Sequence, residues 1–253
     1  MAVEREVQSS DALVFDGTVA NAETPARPSA LRWAWEWTRL FLVAFTLFLF
    51  IRTFLVEAFR IPTGSMENTL LVGDFLFVNK AVYGAQVPHT AMRLPAFAQP
   101  RRGDVVVFIP PHDPLKNYVK RLVGLPGDTL FMREKVLYVN GVAQKEPYVR
   151  YEDQNDVYAP SMYWQCDYHP ANSGAACHPT RDNWGPVVVP ADHFMFLGDN
   201  RDDSEDSRYW GFVDRSAIRG RPLFIYYSFD ASKLRRLPWL TQIRWNRIGG
   251  AVS

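Results

Sequence analysis

The residues best suited to chemistry lie just past the most hydrophobic segment of the chain, in the stretch Arg60-Ile61-Pro62-Thr63-Gly64-Ser65-Met66. Pro62 fixes one backbone φ angle and Gly64 frees another, so a turn here can hold Ser65 in a fixed place beside backbone N–H groups. That geometry suits a nucleophilic serine, but Pro-x-Gly-Ser turns are also ordinary loop structures. The stretch by itself therefore indicates a candidate nucleophile and no more.

A nucleophilic serine needs a nearby base that removes its proton. Histidine would be the usual base because its pKa lies near neutrality. The five histidines lie in proline-rich loops, in a polar insertion or in a turn before a strand: His89, His112, His169, His178 and His193. Only His193 lies near a motif-like segment, and a histidine base is therefore disfavoured.

Lys120 is the alternative base. It lies in the apolar segment Tyr118–Gly124, where period-2 alternation puts Tyr118 and Leu122 on its own face of a strand. At the reference pKa about 1 lysine in 2,500 is neutral at pH 7. Burial against apolar side chains can lower a lysine pKa by as much as ~3–5. A strand lysine that extends into solvent is the competing interpretation of this segment.

Two other polar segments could bind a metal ion. The run Asp199–Arg208 contains four Asp and one Glu, but Arg201 and Ser204 break the calcium-loop pattern, which favours a turn held by Asp–Arg pairs. Cys166 and Cys177 could form a disulfide, remain free thiols or, with the histidines nearby, bind zinc. A disulfide is the favoured interpretation, and we expect neither a metal ion nor a cofactor.

Composition limits the fold and the partners. The 253-residue chain is 47% hydrophobic and 14% aromatic, which is enough to build a packed core. Its 18 prolines and 15 glycines mostly separate short apolar runs, which favours a mainly β fold over a helical one. The net charge of +1 gives no indication of a polyanionic partner, and we expect no interaction with nucleic acid.

The N-terminal part of the chain predicts a membrane anchor. Residues 1–38 are mostly polar and non-periodic and predict a disordered tail. The apolar run Leu40–Ile51 has twelve residues, but it reaches about twenty, enough to span a bilayer, if Arg52 snorkels and the segment continues to Phe59. We therefore predict a single-pass transmembrane helix over residues 39–59. A buried core helix and a cleaved signal peptide are the alternatives, and charge counting leaves the orientation undecided.

Short apolar runs flanked by Gly-Asp and Asn-Gly turn signals predict strands in the rest of the chain. They lie in segments 70–80, 105–109, 118–124, 129–143, 187–189, 194–197 and 222–229. Residues 144–186 are polar and irregular and carry both cysteines, which indicates an insertion. We predict an antiparallel β-sheet core from residues 60–128 and 187–253, with a smaller β or irregular domain inserted over residues 129–186.

Five segments, in this order, resemble those of bacterial signal peptidase I, the membrane-bound protease that removes signal peptides from exported proteins. They are Ile61–Met66, Gly73–Lys80, Gly103–Phe108, Lys120–Asp128 and Gly198–Val213. Each motif alone is weak, but the order of all five behind an apolar segment identifies the chain as a member of that family.

The resemblance implies a Ser–Lys catalytic dyad, with Ser65 as nucleophile and Lys120 as general base. The Thr63 hydroxyl would join the Ser65 backbone N–H in an oxyanion hole. The family usually has Ser at the position of Thr63, and Thr keeps the hydroxyl while it adds a methyl group.

The resemblance also implies supporting and substrate-binding residues. Ser204 would orient the lysine. Asp206 and Arg208 would form a supporting salt bridge, and Arg121 follows the base as in the family, whereas Asp203 departs from the common Asn. Shallow pockets would take the small residues, typically Ala, at the last and third-last positions of the signal peptide. We expect their lining to be Phe59, Ile61, Pro62, Met66, Leu70 and Val119.

For the whole protein, the resemblance implies a monomer whose partners are signal-peptide-bearing preproteins and membrane lipid. The catalytic domain would lie on the outer, periplasmic side of the plasma membrane. Two other functions compete with this one. The Ser–Lys self-cleavage domain of SOS-response repressors is disfavoured by the anchor and by the lack of a DNA-binding motif. A catalytically silent anchored β-domain that binds exported chains is disfavoured by the presence of Ser65 and Lys120.

Overall fold

The computed structural model describes residues 30–88, 90, 92–168, 177–232 and 237–252, so most of the predicted tail lies outside the described residues, as do His89 and His169. Helix α1 spans Ala30–Phe50 and continues as a π-helical turn, Ile51–Leu55. Together they form one apolar stretch of 26 residues that is long enough to cross a membrane. At 1.5 Å per residue the stretch is about 39 Å long, against about 30 Å of bilayer hydrocarbon.

The helix differs from the predicted anchor, residues 39–59, at both ends. It begins earlier, at Ala30, and its first turns carry an i,i+4 ion pair between Arg32 and Glu36. It ends earlier as well, because Val56–Arg60 forms a strand that pairs with the next strand of the sheet. The predicted anchor therefore contained four of the five residues of this strand.

The described residues after α1 contain eleven strands and two short α-helices. The strands are β1 Val56–Arg60, β2 Asp74–Asn79, β3 Val105–Phe108, β4 Tyr118–Gly124, β5 Thr129–Arg133, β6 Val136–Val139, β7 Val142–Ala143, β8 Trp184–Val188, β9 His193–Leu197, β10 Val213–Asp214 and β11 Ile218–Ser228. The helices are α2 Ser207–Trp210 and α3 Pro238–Thr241.

Seven strands form an antiparallel sheet in the order β1-β2-β11-β3-β4-β9-β10. The buried side chains of this sheet include two hydrophobic clusters, one with Leu76 and Val107, the other with Phe108, Leu122 and Phe196. Strand β4 lies between β3 and β9, and its residues from Lys120 to Gly124 are buried. The prediction of a mainly β fold with an antiparallel core is confirmed.

The other four strands form a smaller antiparallel sheet in the order β7-β6-β5-β8. Its apolar side chains share one cluster with Val123, Met195 and Leu197 of the larger sheet. The predicted turn at Asn140-Gly141 connects β6 to β7. The turn between β5 and β6 consists of Glu134 and Lys135, both with positive φ. It contains no glycine, so the sequence gives no signal for this turn.

The polar segment between β7 and β8 contains a 3₁₀ helix, Pro160–Tyr168. Cys166 in this helix is joined to Cys177 by a disulfide, so the zinc and free-thiol alternatives are wrong. Trp164 Nε1 and Gln165 Nε2 each donate a 3.0 Å hydrogen bond to the carbonyl oxygen of Arg208. The insertion therefore contacts the polar turn that follows β9.

Candidate active site

A cavity of about 490 Å³ is lined mainly by the β1–β2 connection and the start of β4. Ser65 contributes to its wall from the connection, and Lys120 contributes from β4. The connection is tied to the sheet at its start, where the Ile61 N–H donates a 2.8 Å hydrogen bond to the Asp74 carbonyl. The Ser65 carbonyl accepts a 3.2 Å hydrogen bond from the Asn200 N–H. Two segments far apart in sequence thus fix the backbone at Ser65.

The Ser65 side chain is nearly enclosed, with only 9% of the residue exposed. The Thr63 hydroxyl oxygen lies 3.5 Å from the Ser65 hydroxyl oxygen, on the same side of the turn. Among the described hydrogen bonds, none joins Ser65 Oγ to Lys120 Nζ; the Lys120 ammonium donates elsewhere. In substrate-free enzymes the hydrogen bond between a nucleophile and its base is often long and tightens only in the substrate complex.

Lys120 is 3% exposed and lies opposite Val106 in the β3–β4 ladder. Its Nζ donates a 3.1 Å hydrogen bond to Ser204 Oγ. Burial lowers the pKa of Lys120 to about 8, because it removes the water that would solvate the ammonium group; Asp206 opposes this effect and Arg208 adds to it. With that pKa about 9% of the lysine is neutral at pH 7. A neutral amine can accept a proton from a hydroxyl group in the same cavity.

Asp206 and Arg208 form a fully buried salt bridge beside Lys120, with Arg208 Nη2 2.8 Å from Asp206 Oδ2. Burial alone would raise the pKa of Asp206, but Arg208 and the 3.0 Å hydrogen bond from the Gly198 N–H hold the pKa below its usual value. Arg208 also donates to the Arg201 carbonyl at 2.7 Å. The pair therefore fixes the turn that carries Ser204.

Gly198 separates the two serines of this site. A Cβ atom at Gly198 would overlap the Ser204 hydroxyl and would lie 2.5 Å from the Ser65 carbonyl oxygen. Any side chain there would push Ser204 and Ser65 apart. The absence of a Cβ at Gly198 is therefore needed for the close approach of these two segments.

Arg121 holds the same turn from the other face of β4. Its guanidinium makes two 2.8 Å hydrogen bonds to the two carboxylate oxygens of Asp199 and a 2.7 Å bond to the Gly103 carbonyl. The guanidinium also lies 3.7 Å from the ring centre of Tyr148, in a cation–π contact. Successive residues of β4 thus point Lys120 to one side, into the cavity, and Arg121 to the other, into the support of the turn.

Residues 34–227 of the chain match the family described as signal peptidase, peptidase S26. The chain belongs to this signal peptidase family. It is 37% identical over 227 residues to a signal peptidase I of Pseudomonas aeruginosa, an alignment that covers 82% of this chain and 78% of the relative. The relative from Pseudomonas fluorescens is 36% identical with the same coverage, and that from Rickettsia massiliae is 32% identical over 264 residues, with 92% and 96% covered. This member of the family is therefore a serine peptidase.

The structure of this signal peptidase family member brings together most of the predicted substrate-binding residues. The cavity with Ser65 is lined by Phe59, Ile61, Pro62, Met66 and Val119. Leu70 differs, because it is fully buried in a hydrophobic cluster with Ile61 and Met66 and does not reach the cavity wall.

Several contacts were not predicted. Asp199, Gly198, Asn200 and Tyr148 all hold the segments that carry the site, and Asp203 and Glu205 line the cavity next to Ser204. The run Asp203–Asp206 is polar throughout and does not form a strand, so the sequence carries no signal that separates the residues facing the cavity from the buried ones.

The histidine alternatives are not supported within the described residues. His112, His178 and His193 do not line the cavity that contains Ser65. His193 is the first residue of β9, and its Nδ1 lies 2.8 Å from the Ala191 carbonyl oxygen. In the part of the chain that the structure describes, no group of three or more His, Cys, Asp or Glu side chains is placed to hold a metal ion.

Proposed function

We propose that this protein is a membrane-anchored endopeptidase that cleaves signal peptides from exported preproteins with a Ser65–Lys120 dyad. One observation carries the proposal: a lysine with its pKa lowered to about 8 shares a cavity with a nearly enclosed serine. The competing function, a silent β-domain that binds exported chains, does not account for a buried lysine held at that pKa. Burial of an amine costs free energy. A role as general base would explain why the protein has a buried lysine with a lowered pKa.

In the acylation step, neutral Lys120 accepts the proton of Ser65 as Ser65 Oγ attacks the carbonyl carbon of the scissile peptide bond. The carbon–nitrogen bond then breaks, and the Lys120 ammonium gives its proton to the departing amine of the mature protein. In the second step Lys120 takes a proton from water, the resulting hydroxide attacks the acyl-enzyme ester, and Ser65 regains its proton. Ser204 is a positioning residue, because its contact with Lys120 Nζ fixes the amine.

The oxyanion of each tetrahedral intermediate would be stabilised by the Ser65 backbone N–H and the Thr63 hydroxyl. The 3.5 Å separation of the Thr63 and Ser65 hydroxyl oxygens supports this role, because it puts the Thr63 hydroxyl close to the atom that would bond to the substrate carbonyl. Donors fixed in advance stabilise developing charge without reorganisation.

The preprotein would lie extended along the cavity, with small residues of an Ala-x-Ala sequence in the shallow pockets beside Ile61 and Val119. The cavity walls on both sides of Ser65 support this arrangement. We infer that the helix Ala30–Leu55 anchors the protein in the plasma membrane. The disulfide Cys166–Cys177 supports an outer, periplasmic location for the domain, because disulfides persist in oxidising compartments. The protein would act there as a monomer in contact with lipid, without a nucleic-acid partner.

The experiment that tests the dyad incubates the detergent-solubilised full-length protein with a precursor whose signal peptide ends in Ala-x-Ala. Cleavage by wild type and its loss in Ser65→Ala and Lys120→Ala are expected. Lys145→Ala is the matched control, because Lys145 is an exposed lysine outside the cavity, and it should cleave like wild type. Circular dichroism confirms that each variant is folded. Cleavage that persists in folded Lys120→Ala would refute the dyad, and binding without cleavage by wild type would favour the silent domain.

A further inference from the structure

A second cavity, of about 870 Å³, lies where the apolar helix gives way to β1. Neither Ser65 nor Lys120 lines it. Its wall includes the apolar side chains of Phe48, Leu49 and Ile51 from the end of the helix. It also includes four basic side chains and one acidic side chain, a formal charge of +3, from Arg52, Glu57, Lys80, Arg93 and Arg219. A wall that is apolar along the helix and cationic beyond it matches an amphipathic anion.

Two of the cations lie at the end of the helix. Lys80 is fixed there, because its backbone N–H donates to the Leu55 carbonyl at 2.9 Å and its Nζ donates to the Arg52 carbonyl at 3.0 Å. Its only carboxylate neighbour in the described residues is Glu57, at 3.4 Å. The Arg52 side chain is exposed and forms no hydrogen bond or ion pair in the described part of the chain. Its guanidinium is therefore available to an anion.

The other two cations add positive charge without a carboxylate bound to either. Arg219 donates to Gln86 Oε1, an uncharged partner. Arg93 donates to four backbone carbonyls, those of Gly84, Arg215, Ser216 and Ile218, at 2.6–3.2 Å, so it contributes charge but has few donors left for a ligand. Contact with an anion would therefore come chiefly from Arg52, Lys80 and Arg219.

The position of the cavity selects the kind of anion. If the 26-residue helix Ala30–Leu55 spans the bilayer, as the proposed function requires, its last turn lies at the level of the phospholipid headgroups. We propose that this cavity binds the phosphate headgroup of an anionic phospholipid. Arg52, Lys80 and Arg219 contact the phosphate, and an acyl chain packs against Phe48, Leu49 and Ile51. A free phosphate ion would use the same cations, but it would leave the apolar wall without a partner.

Native mass spectrometry of the full-length protein in detergent tests this inference. The protein is titrated with phosphatidylglycerol or with phosphatidylcholine of the same acyl chains, and then with inorganic phosphate as a competitor. We expect tighter retention of phosphatidylglycerol. We also expect about a fivefold weaker affinity for it in Arg52→Gln and in Arg219→Gln, equivalent to ~1 kcal/mol for each cation removed. Lys145→Gln is the matched control, because it removes an exposed cation that does not line this cavity.

Equal retention of the two lipids, or equal weakening in Lys145→Gln, would overturn the proposal. Displacement of phosphatidylglycerol by millimolar inorganic phosphate would show a free-phosphate site and would also overturn it. Lipid retention is measured without a substrate, so it is independent of the dyad. Arg52→Gln should still cleave a short peptide in detergent at the wild-type rate. Failure of the anchor would be seen separately, as release of the intact chain by alkaline carbonate.

Discussion

The pH dependence of cleavage gives the sharpest test of the environment of Lys120. If neutral Lys120 is the base, kcat/KM follows the neutral fraction of a group with a pKa of about 8. That fraction is about 1% at pH 6, about 50% at pH 8 and about 91% at pH 9. The rate should therefore rise about 90-fold from pH 6 to pH 9 and then level off.

Other bases would give a different rise in kcat/KM between pH 6 and pH 9. A histidine with its usual pKa of about 6.5 would give only about a fourfold rise over the same range. A solvated lysine with a pKa of about 10.4 would give about a 1,000-fold rise with no plateau at pH 9. In each case the rate rises with pH, because the base is protonated and inactive at low pH.

The assay follows an internally quenched peptide with an Ala-x-Ala site, below its KM, with full-length protein in detergent from pH 5.5 to pH 10. Circular dichroism at each pH confirms that the protein is folded, so that a loss of rate cannot come from unfolding. A midpoint near 6.5, a constant rate from pH 6 to pH 9, or a rate still rising tenfold per pH unit at pH 9 would refute our account of Lys120.

Three substitutions test the rest of the site. Thr63→Val removes the proposed oxyanion donor without a change of shape and should lower kcat about 10²–10³-fold, whereas Thr63→Ser should retain most of the rate; equal rates for the two would exclude Thr63 from the oxyanion hole. Gly198→Ala should abolish measurable cleavage and lower the melting temperature, because its Cβ would overlap Ser204; wild-type kinetics would contradict the packing described. Asp203→Asn removes an exposed negative charge that raises the pKa of Lys120, so it should lower the pH midpoint of cleavage. The expected shift is less than about 0.7 pH unit, which corresponds to an interaction of less than ~1 kcal/mol. A shift to higher pH would contradict this effect of Asp203 on Lys120.

The strands of the fold could be predicted where they are bounded by turn residues. Strand β4 was predicted with its observed bounds, Tyr118–Gly124, because polar residues precede it and Leu-Pro-Gly-Asp follows it. Strand β1 was missed, because Val56, Ala58 and Phe59 extend the apolar segment past Arg52, and only pairing with β2 makes this segment a strand. Local pattern cannot reveal a boundary that a long-range contact determines.

The sequence motifs led to Ser65 and Lys120, which line one cavity in the structure, but many contacts of the supporting residues could not be predicted. The acidic run after β9 correctly suggested Asp–Arg pairs, and Asp206–Arg208 is one of them. The partner of Asp199, however, is Arg121, which lies 78 residues earlier. Leu70 was placed in a substrate pocket, but the turn buries it beneath Ile61 and Met66. Both points depend on which side chains face each other, and spacing along the chain does not contain that information.

The contact between Lys120 and Ser204 joins residues that are 84 positions apart, and the Asn200 N–H holds the Ser65 carbonyl across an even longer span of chain. In an unfolded or half-assembled chain Lys120 would be solvated, and about 1 lysine in 2,500 would be neutral at pH 7, against about 9% in the folded protein. If Lys120 is the base, as we propose, the neutral amine becomes available only when the larger sheet is complete. We would then expect a newly made chain to gain proteolytic activity only after these long-range contacts have formed.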